Sequence, residues 1–471
     1  MFLHSLRVVF IIFEVLILFN LLIVVHELGH FLAARWRGLV VTKFAIWFGK
    51  PLWKKTIGGI EYSLGSLPFG GFVAVPQLAP MDIIEGKSDV DREKLPPVPA
   101  FDKIIVAVAG PLFSLLLAFL LAVLIWGVGY PVTESDATTT IGYILPESPA
   151  LKAGLQPGDK ILEVDGKPVK RFLGMNASVS WNVVRSEGEK IPIKFERDGT
   201  VQTVWTEPYR AETRGWRRKS VRQLLILPAE TPIIEKVEPN SPAATAGLRP
   251  NDIIRGFNQT PIYNPVALLD YITKHPNEEI TLQVERDGSK RDVPVKPALL
   301  LTEGEKKPRI GIRWAERMTI VRPTPVEQIY NSVTSTLNTI AAVASPKSDI
   351  KLQHLSGPVG IFRVYVLLFQ SDYGWQLALW FSVILNVNLA ILNMLPIPVL
   401  DGGHIVLGII ESVRRRPLNT RVLELVQGVC TAVIIGVIIY VTFFDVQDLP
   451  FVRNKLDQYE PKKNKQDPGA P

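Results

Sequence analysis

The chain has 471 residues, of which 47% are hydrophobic, with a mean hydropathy of +0.20 and a formal net charge of +7. It is too apolar to be wholly soluble and too long for one domain, so a mixed membrane and soluble protein is predicted. The basic residues flank apolar segments, which indicates anionic lipid as their partner and argues against nucleic acid.

The first predicted element is a membrane span from Val8 to Ala34, which carries a His-Glu-x-x-His motif. Residues four apart share one helix face, so His26 and His30 can present ring nitrogens to one zinc ion. Glu27 then lies where a carboxylate can take a proton from a zinc-activated water. Because such side chains are costly in hydrocarbon, their place inside a span favours a metal site over a chance match.

The next predicted element is a membrane-associated β-hairpin. Ile57 to Val75 alternates apolar residues and then continues past Gly70 and Gly71 into a second β-prone stretch. Asp82 to Pro99 is charged and proline-rich, which indicates a surface linker. A second span follows from Ile104 to Gly129.

The region after the second span contains an internal repeat. Ser148 to Asp159 recurs, with changes, as Ser241 to Asp252, and Glu196 to Gly199 recurs as Glu285 to Gly288. The two units resemble tandem PDZ domains of the bacterial protease type, over about Thr140 to Pro297. Such grooves receive extended peptides by strand addition. They either bind a carboxyl terminus or act as a size filter, and the filter is favoured.

An amphipathic helix is predicted in the connector that follows. Ile329, Val333, Leu337 and Ile340 recur at helical spacing within Val326 to Ile350. The helix lies either at the outer membrane face or as a cap on the second PDZ unit.

The third span, Leu377 to Val399, leads into a second polar motif. Asn388 and Asn393 precede two prolines, which stop regular helix and leave backbone groups to be buried in protein or to line a wet cavity. Catalytic zinc usually has three protein ligands, and Asp401 is the best candidate for the third. The two glycines after Asp401 allow a tight turn that aims the carboxylate. His404 is the alternative ligand.

Basic residues near the span ends predict the orientation. They follow the first span and cluster around Arg414 to Arg421, before a fourth span from Leu423 to Phe444, whereas Pro131 to Leu151 has none. The first and third connections are therefore predicted to be cytoplasmic. The PDZ units then face outward, which is into the periplasm if the cell is Gram-negative.

The two motifs, in this order, resemble the site-2 protease family of intramembrane metalloproteases. The resemblance covers nearly the whole chain. It implies Zn²⁺ as cofactor, with His26, His30 and Asp401 as its ligands, and Glu27 as the general base.

The resemblance also implies roles in substrate binding. Asn388 and Asn393 would hold the substrate strand or the active-site water; the alternative is hydrogen bonding between helices. Ser63 to Val73 would be a β edge that pairs with unwound substrate, unless the hairpin has no substrate role. Ser114 stands where the family pattern has Asn, so a role copied from that Asn is doubtful.

The fold expected is a multi-pass α-helical membrane protein of about four spans, with the β-hairpin and tandem PDZ domains. The function implied is an intramembrane zinc endopeptidase of the bacterial inner membrane. Its partners would be the lipid bilayer and single-pass membrane proteins, such as anti-sigma factors or remnant signal peptides, after their outer domains are trimmed. A zinc peptidase acting on soluble segments and a membrane-anchored PDZ scaffold remain as alternatives.

The predicted domains are the first span (1–36), the hairpin and linker (37–100), the second span (101–130), two PDZ-like domains (140–230 and 231–300), the connector (301–374), the third span with the Asp401 motif (375–413), the fourth span (422–446) and a polar tail (447–471).

Overall fold

The computed structural model describes residues 2–78, 95–96, 98–213, 215–302, 305–414 and 420–449. Most of the predicted linker, and the predicted tail beyond Leu449, lie outside this range. The chain divides into two compact units. The first takes in Met1–Tyr130, Arg322–Ile340 and Leu352–Leu456, and the second takes in Pro131–Val321 and Ala341–Lys351.

The helices, in chain order, are α1 (Phe2–Trp36), α2 (Ala100–Val128), α3 (Glu134–Ala137), α4 (Pro149–Lys152), α5 (Val179–Arg185), α6 (Pro242–Thr245), α7 (Pro265–Lys274), α8 (Pro325–Ala344), α9 (Pro358–Gln370), α10 (Gly374–Asn393), α11 (Asp401–Arg414) and α12 (Thr420–Gln447).

The strands are β1 (Lys43–Phe48), β2 (Trp53–Ile57), β3 (Ile60–Leu64), β4 (Leu67–Ala74), β5 (Tyr130–Thr133), β6 (Ile141–Ile144), β7 (Lys160–Val164), β8 (Lys167–Pro168), β9 (Ile191–Arg197), β10 (Thr200–Thr206), β11 (Ile226–Pro228), β12 (Ile233–Val237), β13 (Ile253–Phe257), β14 (Thr260–Pro261), β15 (Ile280–Arg286), β16 (Ser289–Val295), β17 (Ala298–Thr302), β18 (Glu305–Arg309), β19 (Ile312–Ala315) and β20 (Met318–Val321).

The first unit is built on long apolar helices. By length and composition, the described helices able to cross a membrane are Arg7–Trp36, Ala100–Val128, Leu352–Gln370, Gly374–Asn393 and Val422–Gln447. Four of them overlap the predicted spans. Leu352–Gln370 falls in the region predicted to be a connector, and its hydropathy of 1.2, against 3.1 for the first helix, explains why its pattern is weak. Its regular part, α9, has 13 residues and is only about 20 Å long, which is short of a bilayer core of about 30 Å.

The segment after α1 forms a four-stranded sheet of order β2-β3-β1-β4. The predicted hairpin of two consecutive strands over 57–75 is wrong, because β1 lies between β3 and β4, parallel to β3 and antiparallel to β4. The hairpin that does form joins β2 to β3 through Gly58 and Gly59, which both have positive φ. Ser63 lies in β3, inside the sheet, so within the predicted edge Ser63 to Val73 only the β4 residues lie on an outer strand.

The sheet packs on the C-terminal part of α1. Phe31 and Ala34 of α1 share a buried core with Phe44 of β1, Ile60 of β3 and Val73 of β4. β4 is consequently fixed beside the helix that carries the His-Glu-x-x-His motif.

The second unit contains two β domains. The first β domain comprises β6–β11, with a sheet of order β10-β9-β7-β8 and a separate β11-β6 pair; the second comprises β12–β19, with a sheet of order β16-β15-β13-β12-β19. Each has its own buried core. The repeated serines cap the short helices in the same way, because Ser148 accepts a hydrogen bond from Leu151 N and Ser241 from Ala244 N.

In each β domain, an ion pair joins the two segments that recur in the sequence. Arg197 donates to Asp159 Oδ1 at 2.6 Å and Oδ2 at 2.7 Å, and also to the carbonyl of Gly154 at 2.8 Å. Arg286 makes the same contacts to Asp252 and Gly247 at the same distances. These bidentate pairs link the Pro/Asp turn to the strand that ends in the Glu-Arg-Asp-Gly turn.

We expect Asp252→Ala to lower the stability of the second β domain by about 3 kcal/mol, because Asp252 is 1% exposed and its loss leaves a largely buried guanidinium unpaired. Amide exchange of β13 and β15 in the intact chain measures this. Glu285→Ala breaks a more exposed pair with Arg255 and should have a much smaller effect, because exposed ion pairs contribute little to stability. Equal losses in the two variants would contradict the expectation.

This pair should also make stability depend on pH. Burial alone raises the pKa of Asp252, but the hydrogen bonds from Arg286 and from the backbone of Arg249 outweigh it and hold the pKa below its usual range. A depressed folded-state pKa contributes stability above the unfolded value of about 3.9, and that contribution is lost as the pH falls below it.

The amphipathic helix predicted in the connector is α8. Ile329 and Val333 pack in the first unit against a core that includes Leu121 of α2 and Val387 of α10. Those side chains therefore pack on the long apolar helices.

Candidate metal centre and cleft

Small residues bring α1 and α2 together at the histidines. A Cβ on Gly29 would lie 2.4 Å from the carbonyl oxygen of Ala109, and one on Gly110 would lie 2.2 Å from Nε2 of His30. Neither position tolerates a side chain without movement. The glycine inside the His-Glu-x-x-His motif thus allows the helix crossing that positions the second histidine.

The structure brings His26, His30 and Asp401 together. Asp401 Oδ2 lies 3.3 Å from Nε2 of His26, and Oδ1 lies 3.3 Å from Nε2 of His30. The two Nε2 atoms are also 3.3 Å apart. Among the described residues, these form the group of His, Cys, Asp and Glu side chains able to hold a metal ion, with ligand atoms within 4.8 Å of one another.

The outer nitrogens of both histidines are engaged by α2. Nδ1 of His26 lies 3.0 Å from Ser114 Oγ, and Nδ1 of His30 lies 2.8 Å from the carbonyl oxygen of Val106. A carbonyl only accepts, so His30 carries a proton on Nδ1, and its neutral form keeps a lone pair on Nε2. That lone pair faces the Asp401 carboxylate, an arrangement that a cation between them would stabilise. Two imidazoles and a carboxylate are a donor set that zinc takes, and the residues fit it.

Ser114 is a positioning residue that the sequence left in doubt. It is fully buried and contacts a candidate ligand directly. Ser114→Ala should weaken zinc binding about 10- to 100-fold, since the orientation and tautomer of His26 lose their support. Competition with a chromophoric chelator measures the affinity.

Ser382→Ala is the matched control. Ser382 is equally buried, but its hydroxyl bonds Tyr365 in another part of the bundle, so zinc affinity should not change. Unchanged affinity in Ser114→Ala would show that the serine contributes packing alone.

Asp401 is positioned by a break between two helices. α10 ends at Asn393, and Asp401 is the first residue of α11. A Cβ on Gly402 would lie 2.2 Å from the carbonyl oxygen of Met394, and one on Gly403 would lie 2.1 Å from that of Ile397. Both glycines are helical rather than in the predicted tight turn. They are needed because α11 packs directly on the backbone of the Pro-containing segment.

The two asparagines of this motif have different surroundings. Asn393 Nδ2 lies 3.4 Å from Nε2 of His26, and Asn393 lines the cleft. Asn388 instead accepts a hydrogen bond from the Thr336 hydroxyl of α8, and it is not among the cleft-lining residues. Its contact is the helix-to-helix hydrogen bond that the sequence left as the alternative.

A cavity of about 290 Å³ opens at the histidines and Asp401. Glu27 lines it, and the backbone of Val73 in β4 lies within hydrogen-bonding reach of the Glu27 carboxylate. Gly70, Gly71 and Phe72 of the same edge strand line the cavity too. A Cβ on Gly71 would lie 3.4 Å from Cγ of Glu27, so the strand approaches the carboxylate closely.

The cavity is lined both by polar side chains and by residues of the edge strand β4. His404 lines it as well, but its ring is not part of the group of converging ligand atoms. The arrangement can hold one metal ion beside a carboxylate and can receive an extended chain along β4.

Comparison with known proteins gives a family match along most of the chain. The model of peptidase family M50 matches residues 14–437. A Neisseria meningitidis protein named "Putative zinc metalloprotease" is 30% identical over 434 residues, covering 87% of this chain and 92% of its own. The Escherichia coli "Regulator of sigma-E protease RseP" is 28% identical over 440 residues, covering 86% and 91%.

The same comparison finds the "Regulator of sigma-E protease RseP" of Salmonella typhimurium, 27% identical over 436 residues, covering 86% of this chain and 92% of that protein. Among solved structures, a PDZ domain of an SdrC-like protein from Listeria innocua is 17% identical with a TM-score of 0.17, covering 19% of this chain and 97% of that domain.

Proposed function

Because the chain belongs to peptidase family M50, the site-2 type of zinc metalloprotease, we propose that it cuts membrane-spanning segments of single-pass proteins within the bilayer. The predicted family, enzyme class and zinc cofactor are confirmed by this membership. The chain is a membrane protease that combines apolar helices with β domains.

One observation supports the proposal most. The ligand atoms of His26, His30 and Asp401 converge within 4.8 Å, on helices long and apolar enough to lie in a membrane or directly after one. A peptidase for soluble chains would need such a site in a water-exposed domain. We assign the zinc to these three side chains.

Different residues of the chain then have different roles in the reaction. Zinc, when bound, supplies Lewis acidity that makes water nucleophilic near neutral pH and polarises a peptide carbonyl. Glu27 takes the proton of the attacking water and hands it to the departing amine. Asn393, beside His26, donates a hydrogen bond that orients the substrate carbonyl. The absence of a side chain at Gly71 lets β4 lie close to Glu27.

β4 is the proposed docking edge. A helical substrate has its carbonyls engaged, so it must unwind before attack, and pairing with a strand edge satisfies the freed backbone groups. β4 is an outer strand of its sheet and lines the cavity, whereas β2, at the opposite edge, does not.

Crosslinking should distinguish the two edges. A photoreactive amino acid at Phe72 of β4 is expected to crosslink to a bound substrate segment, and the same group at Trp53 of β2 is the matched control. Equal yields at both positions would contradict docking on β4.

The β domains are proposed to be PDZ-like, outside the cytoplasm, and to act as a size filter that admits substrates whose outer domain is already trimmed. The predicted orientation follows from the basic residues at the span ends. Two relatives are named regulators of sigma-E protease, and anti-sigma factors or remnant signal peptides are the substrates we propose.

The direct test is cleavage of a single-span type II substrate, with its outer domain removed, by the purified chain in liposomes. Mass spectrometry of the products should place the cut inside the span, and a chelator should abolish it. Cuts confined to soluble flanks would favour the alternative of a membrane-bound peptidase for soluble segments.

A further inference from the structure

A short segment after α8 is docked on the first β domain. Ala342 and Ile350 are 9% and 4% exposed, and they pack around Trp181 of α5, with Val184 beside them. Trp181 is not part of the main core of its domain, which uses Val179 and Val183 of the same helix. α5 therefore presents one face to its own domain and another to the docked segment.

The docked segment also carries a carboxylate that two arginines hold. Arg210 Nε lies 2.7 Å from Asp349 Oδ2, and Arg222 Nε lies 3.3 Å from the same oxygen. The side chain of Arg222 is 5% exposed, and its Nη1 donates to the Gly188 carbonyl at 2.6 Å. A guanidinium buried to this extent is costly without a carboxylate partner.

The two arginines are held as a pair by the backbone. Tyr209 N donates to Gln223 O at 2.7 Å, and Gln223 N donates to Tyr209 O at 2.9 Å. Arg210 and Arg222, the next residues inward, lie at the base of the loop that this pairing closes. Both arginines and Trp181 thus belong to the first β domain, and the 341–351 segment supplies Asp349 and Ile350.

We propose that Arg210, Arg222 and Trp181 form a peptide-binding site for a carboxylate followed by an aliphatic side chain. The chain's own Asp349 and Ile350 occupy it as a resident, exchangeable ligand. The fork geometry of arginine suits a carboxylate, and the Trp181 surface suits the aliphatic neighbour.

A resident ligand of this kind can exchange with a second peptide. The resident segment is tethered, so it competes at an effective concentration in the millimolar range or above, and a peptide in trans binds well only when the resident contact is weakened. Ala342 lies in the last turn of α8, so displacement of the segment would release that end of the helix. The proposal does not rest on the protease activity.

Binding is tested with the full chain in nanodiscs and a labelled peptide of the sequence Ser345–Lys351. Asp349→Asn should bind this peptide at least 10-fold more tightly than wild type, because the tethered competitor is weakened. A peptide with Asn in place of the Asp should bind at least 10-fold more weakly. Asp292→Asn, at an exposed position of β16, is the matched control and should behave as wild type.

Arg210→Gln in the Asp349→Asn background should remove the binding; this arginine is 46% exposed, so the change should spare the fold. Amide exchange of residues 342–351 should rise in Asp349→Asn relative to Asp292→Asn. Equal binding of the Asp and Asn peptides, or no binding to Asp349→Asn, would overturn the proposal.

Discussion

Glu27→Gln is expected to reduce cleavage of a membrane-spanning substrate by about 10²- to 10⁴-fold, the usual contribution of a positioned general base. Glutamine keeps the size of the side chain and can still lie beside Val73 of β4, but it cannot take a proton. Since Glu27 is not one of the three converging ligands, zinc binding should remain stoichiometric.

The measurement is the liposome cleavage assay, with zinc content determined on the same preparations. Glu14→Gln is a matched control, because Glu14 is also a buried acid of α1 but lies away from the cavity. Its activity should stay near that of wild type. Full cleavage by Glu27→Gln would remove Glu27 from the mechanism, whereas loss of zinc would make it a ligand.

Asp401→Asn is expected to weaken zinc binding by more than about 100-fold, beyond what the loss of a supporting residue costs. The Asp401 carboxylate approaches Nε2 of both His26 and His30 at 3.3 Å, and an amide is a much poorer zinc ligand than a carboxylate. Cleavage should be lost with the metal.

His404→Asn is the decisive companion, because His404 is the alternative third ligand and lines the same cavity one turn along α11. It should keep its zinc. Metal analysis after gel filtration compares the two variants under the same conditions. If His404→Asn lost zinc while Asp401→Asn kept it, the assignment of the third ligand would be reversed.

The sequence predicted those features that depend on local spacing. His26 and His30 share a helix face because they are four residues apart, and no long-range contact is needed to know this. Apolar runs long enough for a bilayer located four of the membrane-capable helices. The repeat indicated two related β domains. The structure adds that the Asp and the Arg present in both copies, such as Asp252 and Arg286, form an ion pair.

The sequence did not predict the order of the strands in the sheet that follows α1. The alternation over 57–75 correctly indicates β structure, but pairing partners are chosen by packing between distant segments. β1, which no pattern singled out, takes the place between β3 and β4. The sequence did not predict Leu352–Gln370 as a membrane-capable helix for a related reason. The segment is only weakly apolar, and its side chains gain their apolar surroundings from other helices.

The candidate metal site also has some features that the sequence predicts and others that depend on the fold. Its ligand types, and their order in the chain, were readable as motifs, because the chemistry of zinc restricts which side chains can serve. What only the tertiary structure decided is how they meet: Ser114 on His26, β4 beside Glu27, and the close packing at Gly402 and Gly403. These depend on contacts between segments far apart in the chain, whose geometry is set by packing of the whole unit and leaves no periodic trace in the sequence.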